Sequence, residues 1–321
     1  MIKKYSKLAA NVLISLIPVA LLFLILLLLS DRVSFRNLQD IIFQAIPPFI
    51  LAMGVTFAFK VGNWDLSVGA TGILSAIIGG NIAMRFNLGI PGIIIICILV
   101  GVVLGTITGG IFRLLKIPSI IVTLGTAMIM ENLTSLMYEG RGILIPAEFI
   151  VLGKFPVNII ILALVMSLGY YLLYHTKIGY NIKAVGSNID LAKLRGLDVY
   201  STKMFGCIIA GLFAGMYSFM LLGTLGVRKA VSGSLSSLGL SFTALMVVFL
   251  GTAIAREGTL IFSIFFAAVI LKLVELAMIV LNLPAPLKSV FIAILVVAVM
   301  SIQARSDIFS LKKLIPARLR R

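Results

Sequence analysis

The sequence predicts an all-α, polytopic membrane protein of about ten transmembrane helices, each the roughly 20 residues that cross a bilayer. Three observations predict it. Of its 321 residues, 61 % are hydrophobic and 12 % charged, and the mean hydropathy is +1.18, far outside the range of soluble domains. Apolar runs long enough to span a membrane recur along the whole chain. These runs are continuous and rich in Leu, Ile and Val, whereas the strands of a membrane β-barrel alternate in short segments.

Spans are expected near 9–30, 38–59, 66–84, 90–112, 118–137, 157–175, 202–224, 237–255, 259–281 and 287–304. Basic residues orient them. With both termini on one side, 18 of the 27 Lys and Arg residues fall on that side, 8 fall on the other, and Lys272 lies within a span. The positive-inside rule then puts both termini in the cytoplasm. The net charge of +16 is thereby a matter of topology. Nucleic acid is not an expected partner, because no soluble domain carries a basic face. Met1–Lys7 is basic, but the apolar run that follows has no small-residue cleavage site, so it is expected to stay as the first span. The chain reads as one permease-like domain, 1–321, with a basic cytoplasmic tail at 305–321.

The second span is the weakest, since Pro47-Pro48 interrupts it and Gln44, Thr56 and Lys60 thin its apolar face; a break or kink is expected there. Gly101, Gly105 and Gly109 recur every fourth residue, as do Gly211 and Gly215. Such rows let helix backbones approach closely within a membrane. Gly140–Pro156 is the longest connection on the outer side, a cap over the outer mouth or an ordinary loop. Cys97 and Cys207 lie inside apolar runs and read as buried, inert thiols.

An internal repeat runs through the chain. Pro118 follows Gly92 by 26 residues, and Pro284 follows Gly258 by 26, each interval holding one span and a proline turn. Upstream, Asp65–Ala83 resembles Ser234–Ala255 in outline. By the charge-derived topology the two copies are inverted, an arrangement from which many transporters build a central site reachable from either side.

Between the sixth and seventh spans lies a polar, basic interval, Lys183–Val199, KAVGSNIDLAKLRGLDV. It is expected to form a short cytoplasmic helix, started by Ser187 with Asp190 three residues on and stopped by Gly196 in a left-handed conformation. Leu191 and Leu194, joined by Leu197, recur at spacing three, while Asp190, Lys193 and Arg195 fall elsewhere. About two turns of helix are not stable alone in water, so the leucine stripe must dock on something.

Sites for chemistry are few. No GxxxxGK[ST] phosphate loop, HExxH or CxxC pattern occurs, and the one histidine, His175, ends the sixth span. Lys272 and Glu275, three apart in the ninth span, share a face; they form a neutralising ion pair or take part in proton coupling or substrate binding. Glu131, beside Asn132 near the outer end of the fifth span, reaches water or lines an outer vestibule. Asp65 in Asn63-Trp64-Asp65 precedes the third span on the cytoplasmic side and is placed to cap it.

Three segments together carry a family resemblance: WDLSVGA at Trp64–Ala70, IPSIIVTLGT at Ile117–Thr126 and AVGSNIDLAKLRGLDV at Ala184–Val199. In this order, over roughly residues 40–305, they resemble bacterial ABC-importer permeases for monosaccharides, the ribose-permease kind. The chain departs from the family pattern at Ala255-Arg256-Glu257-Gly258, where a GGxG-like turn is usual, and at Leu191-Ala192, where paired alanines are usual. The resemblance implies a non-enzymatic transport subunit of the bacterial cytoplasmic membrane. Its implied partners are a second permease copy, a cytoplasmic ABC ATPase and an extracytoplasmic solute-binding protein. ATP and magnesium would belong to the ATPase, and no cofactor is expected in this chain. In that setting Lys183–Val199 is the coupling helix, with Ser187, Asn188, Asp190, Leu191, Leu194, Arg195 and Gly196 at the ATPase. Polarity and family position together suggest a substrate path along Gln44, Asn81, Thr123, Asn132 and Ser241, suited to a neutral sugar or a nucleoside-like solute. Two other classes stay open: an ion-coupled secondary carrier using Lys272 and Glu275, and a scaffold without a transport role.

Overall fold

The computed structural model describes residues 2–29, 34–231, 233, 235–256 and 258–282, with 284, 287, 290, 294, 297 and 301 beyond; side chains are described from residue 11, and not at 29 or 35–37. The tenth expected span, 287–304, lies largely outside these residues, and the tail 305–321 wholly so.

In chain order the elements are α1 (Ile2–Leu29), α2 (Phe35–Lys60), α3 (Val68–Arg85), α4 (Gly89–Leu115), α5 (Ser119–Leu136), β1 (Ile143–Leu144), α6 (Val157–His175), α7 (Lys177–Ser187), α8 (Ile189–Leu194), α9 (Val199–Leu225), β2 (Val227–Arg228), α10 (Ser237–Ile254) and α11 (Leu260–Val280). Among the described residues nine helices, all but α7 and α8, are long and apolar enough to cross a membrane. The protein is an all-α polytopic membrane protein. Its contacts divide it into two bodies, residues 42–248 and the two ends together, 1–41 with 249–321.

The larger body is built on α9. Phe213, Ala214, Met220 and Leu222 of α9 are wholly buried, and Phe213 stacks on Phe57 of α2 at 5.8 Å. Helix α4 shows how the sequence sets the packing. Its outward stripe, Ile95, Leu99, Val103 and Ile107, is exposed and suits lipid, while its glycine stripe lies on α9. A Cβ on Gly105 would come 2.6 Å from the Cys207 carbonyl oxygen, and one on Gly109 would come 2.9 Å from that of Met204. Gly211 and Gly215 are the opposing row, against Gly105 and Cys97. Between helices already in an apolar solvent, close backbone approach replaces the hydrophobic effect as the source of association. Cys97 and Cys207 are buried and free.

Two expectations change here. Helix α2 is not broken at Pro47-Pro48; it runs as one helix from Phe35 to Lys60. Ala45, Ile46, Phe49 and Ile50 on either side are buried, so the surrounding packing holds the helix through the missing donors. The Gly140–Pro156 connection is not an irregular loop. It holds β1, which pairs antiparallel with β2 in the register Ile143 to Arg228 and Leu144 to Val227. A 3-10 turn at Ala147–Gly153 follows, with Leu152 and Gly153 against Gly223 at the end of α9.

In the smaller body α1 packs on α11, with the Ser15 and Ser263 hydroxyls 3.4 Å apart. Gly251 there lies against the backbone of Ile264. On α11 the Lys272 ammonium meets the Glu275 carboxylate at 2.9 Å, both side chains mostly buried.

Candidate functional site: a docking helix and a helix junction

At one end of the larger body the chain between α6 and α9 folds back as α7 and α8. Thr176 starts α7, its hydroxyl accepting the Gly179 amide at 3.1 Å. Helix α7 ends at Ser187 and α8 begins at Ile189, so the expected single helix is two, hinged at Asn188. The start signal sits one residue later than Ser187. Asn188 Oδ1 accepts the Leu191 amide at 2.9 Å, whereas the Ser187 hydroxyl donates back to the Ala184 carbonyl. Gly196 closes α8 with φ +77°, the left-handed stop the sequence predicts. Of the six α8 residues only Ala192 is buried. Leu191 is 47 % and Leu194 85 % exposed, Asp190 and Lys193 form a loose surface pair at 3.8 Å, and Arg195 is exposed.

This exposed turn is tied to the bundle at three places. Gly186 lies so close to α2 that a Cβ on it would overlap the Lys60 carbonyl oxygen. Lys183 lies 3.9 Å over the Tyr174 ring, and burial together with the Lys60 charge pushes its ammonium below the usual lysine range. After α8, Asp198 caps α9 by accepting the Ser201 amide at 3.1 Å and the Ser201 hydroxyl. Arg113 at the end of α4 reaches the same carboxylate at 3.7 Å. The Ser201 bonds, with Arg113 adding to them, hold Asp198 below the usual carboxylate range.

From Lys60 the chain enters the bundle instead of leaving it. Asn63 donates to the Lys203 carbonyl at 3.4 Å, the Trp64 amide donates to Ser119 Oγ at 3.1 Å, and Thr123 donates to the Trp64 carbonyl at 2.9 Å. Asp65 is buried. It holds the start of α3: the cap position is Ser67, and Asp65 Oδ1 accepts the Ser67 amide at 3.0 Å and hydroxyl at 2.6 Å. Alignment along α9 gives the depth. Gly206 faces Val61, Tyr217 faces Gly72 and Leu222 faces Gly80, so the start of α3 stands near the middle of a helix that is about 40 Å long at 1.5 Å per residue. Asn63-Trp64-Asp65 is therefore bonded into the bundle, against α5 and α9, between the end of α2 and the start of α3.

The first turn of α10 meets the first turn of α3 at this level. Ser241 Oγ accepts the Gly69 amide at 2.9 Å and donates to the Leu66 carbonyl at 2.7 Å, and a Cβ on Gly69 would overlap the Ser237 carbonyl oxygen. Ser241 reaches back to Leu66 while Ser237 lies beside Gly69, so the two helices run in opposite directions from their meeting point. That is the relationship an inverted pair of copies requires. Each start carries its own acid. As Asp65 binds Ser67 for α3, Glu131 of α5 binds Ser237 for α10, its Oε2 accepting the Ser237 amide at 3.1 Å and also the Ser237 hydroxyl. Glu131 is 1 % exposed; it neither reaches water nor lines an open vestibule in this structure. Its Oε1 is buried without a hydrogen-bond partner.

The five expected path residues are not one constellation. Ser241 and Thr123 are buried and lie at this junction and at its Trp64 approach. Asn81 is higher on α3, donating to the Ile77 carbonyl at 2.8 Å and to the Gly142 carbonyl at 3.0 Å. Gln44 and Asn132 are exposed on α2 and α5, and Asn132 donates only along its own helix, to Met128. The sequence reading missed the close approach at Gly186 and the role of Ser237; the Glu131–Ser237 bond links residues too far apart to be read from spacing. No group of three or more metal-ligating residues occurs among the described residues.

Residues 37–300 match the family described as the branched-chain amino acid transport system, permease component. The chain belongs to this permease family. Similar curated proteins include the ribose import permease protein RbsC of Haemophilus influenzae, 27 % identical over 225 residues, covering 67 % of this chain and 69 % of the relative. The autoinducer 2 import system permease protein LsrC of Enterobacter sp. is 29 % identical over 261 residues, 78 % of this chain and 74 % of its own length. The fructose import permease protein FruG of Bifidobacterium longum is 28 % identical over 227 residues, 65 % of each. No solved structure matches the chain at a significant level. The family is one of transport permease subunits.

Proposed function

We propose that this permease is the transmembrane subunit of an ATP-driven importer that carries a sugar or sugar-like solute into the cell. The α7–α8 end faces the cytoplasm, both termini lie on that side, and α8 rests on a partner ATPase. A second permease copy and an extracytoplasmic solute-binding protein complete the assembly. The observation that carries this reading is α8 itself: a six-residue helix with two exposed leucines, capped at both ends and set between α7, which packs on α2, and the start of α9. A helix so short and so exposed gains its stability from a docking partner. Motion delivered there is passed through Gly186 to the end of α2, and thence along residues 61–67 to the helix junction. The sugar class rests on the names of the relatives, which are importers of ribose, autoinducer 2 and fructose.

Uptake of radiolabelled D-ribose and D-fructose by cells expressing this chain with its encoded neighbours tests the proposal. Uptake that stops when the ATPase is inactivated supports it. Uptake that persists without ATP hydrolysis would contradict it and favour the ion-coupled carrier, in which case the buried Lys272–Glu275 pair is the place to look.

A further inference from the structure

The α3–α10 junction holds one polar group that the fold leaves unused. Its three serines are committed: Ser67 to Asp65, Ser237 to Glu131, and Ser241 to Gly69 and Leu66. Glu131 Oε1 is not, although its carboxylate is buried and held at the start of α10. A buried carboxylate oxygen without a donor is costly, more so than a neutral acceptor, and a stable fold keeps one where a donor arrives from elsewhere. Two further features bear on what arrives. The starts of two helices are partly positive, and mid-membrane starts of this kind commonly bind anionic cargo. Here each start already has its own carboxyl group, Asp65 for α3 and Glu131 for α10, which takes the place an anion would occupy. A hydroxyl, by contrast, offers the donor that Oε1 lacks without bringing a charge into the membrane.

We infer that Glu131 is a cargo-recognition residue, whose Oε1 accepts a hydrogen bond from a hydroxyl of a neutral polyhydroxylated solute when the α3–α10 junction opens. The inference rests on the sugar-importer reading and narrows it to a site and a charge class. The closed contact between Gly69 and Ser237 means that cargo reaches Oε1 only after α10 moves from α3. Because Oε2 stays on Ser237, Glu131 couples occupancy to the position of α10.

The test uses the full chain purified into nanodiscs, with thermal-shift titrations of D-ribose, D-fructose, D-ribose 5-phosphate and L-leucine. The neutral sugars should raise the melting temperature, while the phosphate and leucine should not. Glu131→Gln can put an amide donor where the acceptor stood and should weaken the sugar effect by about tenfold, the loss of one buried hydrogen bond. Gly125→Ala, on the same helix with nothing within 4 Å of the added Cβ, leaves Oε1 and its surroundings untouched and should leave the affinity unchanged. Should Glu131→Gln fail to fold, Glu131→Asp keeps the charge but withdraws the oxygen by one methylene, and should also weaken binding. The inference is overturned if no neutral sugar binds, if the phosphate or leucine binds instead, or if a folded Glu131→Gln or Glu131→Asp protein binds sugar as the parent does. Failure here leaves ATPase docking at α8 standing, and loss of docking would leave sugar binding to the purified chain unchanged, so the two readings fail separately.

Discussion

Gly186 on α7 packs directly on the carbonyl of Lys60, the last residue of α2, with no room for a Cβ between them. This is the contact through which the short α7–α8 arm touches the segment leading to the helix junction. Gly186→Ala should displace α7 from α2 and destabilise the protein by about 1–3 kcal/mol, the usual cost of overpacking. Unfolding of the purified protein in mixed detergent with SDS measures it. Wild-type stability in the variant would mean that α7 moves freely and does not transmit force.

The glycine face of α4 gives a comparison within one membrane. Gly105→Ala places a Cβ 2.6 Å from the Cys207 carbonyl oxygen and should cost about 1–3 kcal/mol by the same unfolding assay. Gly125→Ala on α5 meets nothing within 4 Å. It should be neutral or stabilise by up to about 1 kcal/mol, because alanine is the better helix former.

The cap of α8 is assigned to Asn188 and not to its neighbour. Asn188→Ala should remove about 1 kcal/mol from the local helix and speed hydrogen exchange at the Leu191 amide, which Asn188 Oδ1 holds. Ser187→Ala should leave that exchange unchanged, since its hydroxyl serves only the Ala184 carbonyl. Equal effects from both would restore the single-helix reading.

Asp198 sets an acid limit on the same region. Its carboxyl titrates below the usual aspartate range because the ionised form is bonded by Ser201 and helped by Arg113. A group lowered in this way adds stability above its unfolded-state value and loses it as pH falls through the folded-state value. The α9 cap should therefore hold at neutral pH and open only below the ordinary aspartate range. Carboxyl-carbon NMR of Asp198 should show the depressed titration, and Arg113→Gln should raise it only slightly, since that pair is exposed and the Ser201 bonds come first.

Much of this architecture is legible in the sequence because it rests on local rules. Hydropathy places the spans, the four-residue glycine rows state that α4 and α9 pack tightly, and Lys272 with Glu275 meet as their spacing requires. What the sequence hides is long-range. Pro47-Pro48 reads as a break because propensity speaks louder than packing, and the packing around Ile46 and Phe49 overrides it. Asp65 reads as a cap of α3, and its bonds to Ser67 serve that helix start, but its burial is not written in the local pattern. Glu131 shows the limit most plainly: its partner, Ser237, is 106 residues away, and no local pattern joins them. Polarity and family position together name the candidate path residues, and neither distinguishes Ser241 at the junction from Asn132 on an outer face.

The claim on which the account depends is that α8 is where an ATPase delivers its work, and co-purification tests it most directly. Replacing both Leu191 and Leu194 with Asp leaves the buried core untouched. The double variant should insert and fold as the parent does, yet retain at least about tenfold less of the encoded ATPase, the loss expected when charge replaces the apolar anchors of an interface. Undiminished recovery of the ATPase with a folded double variant would contradict the account.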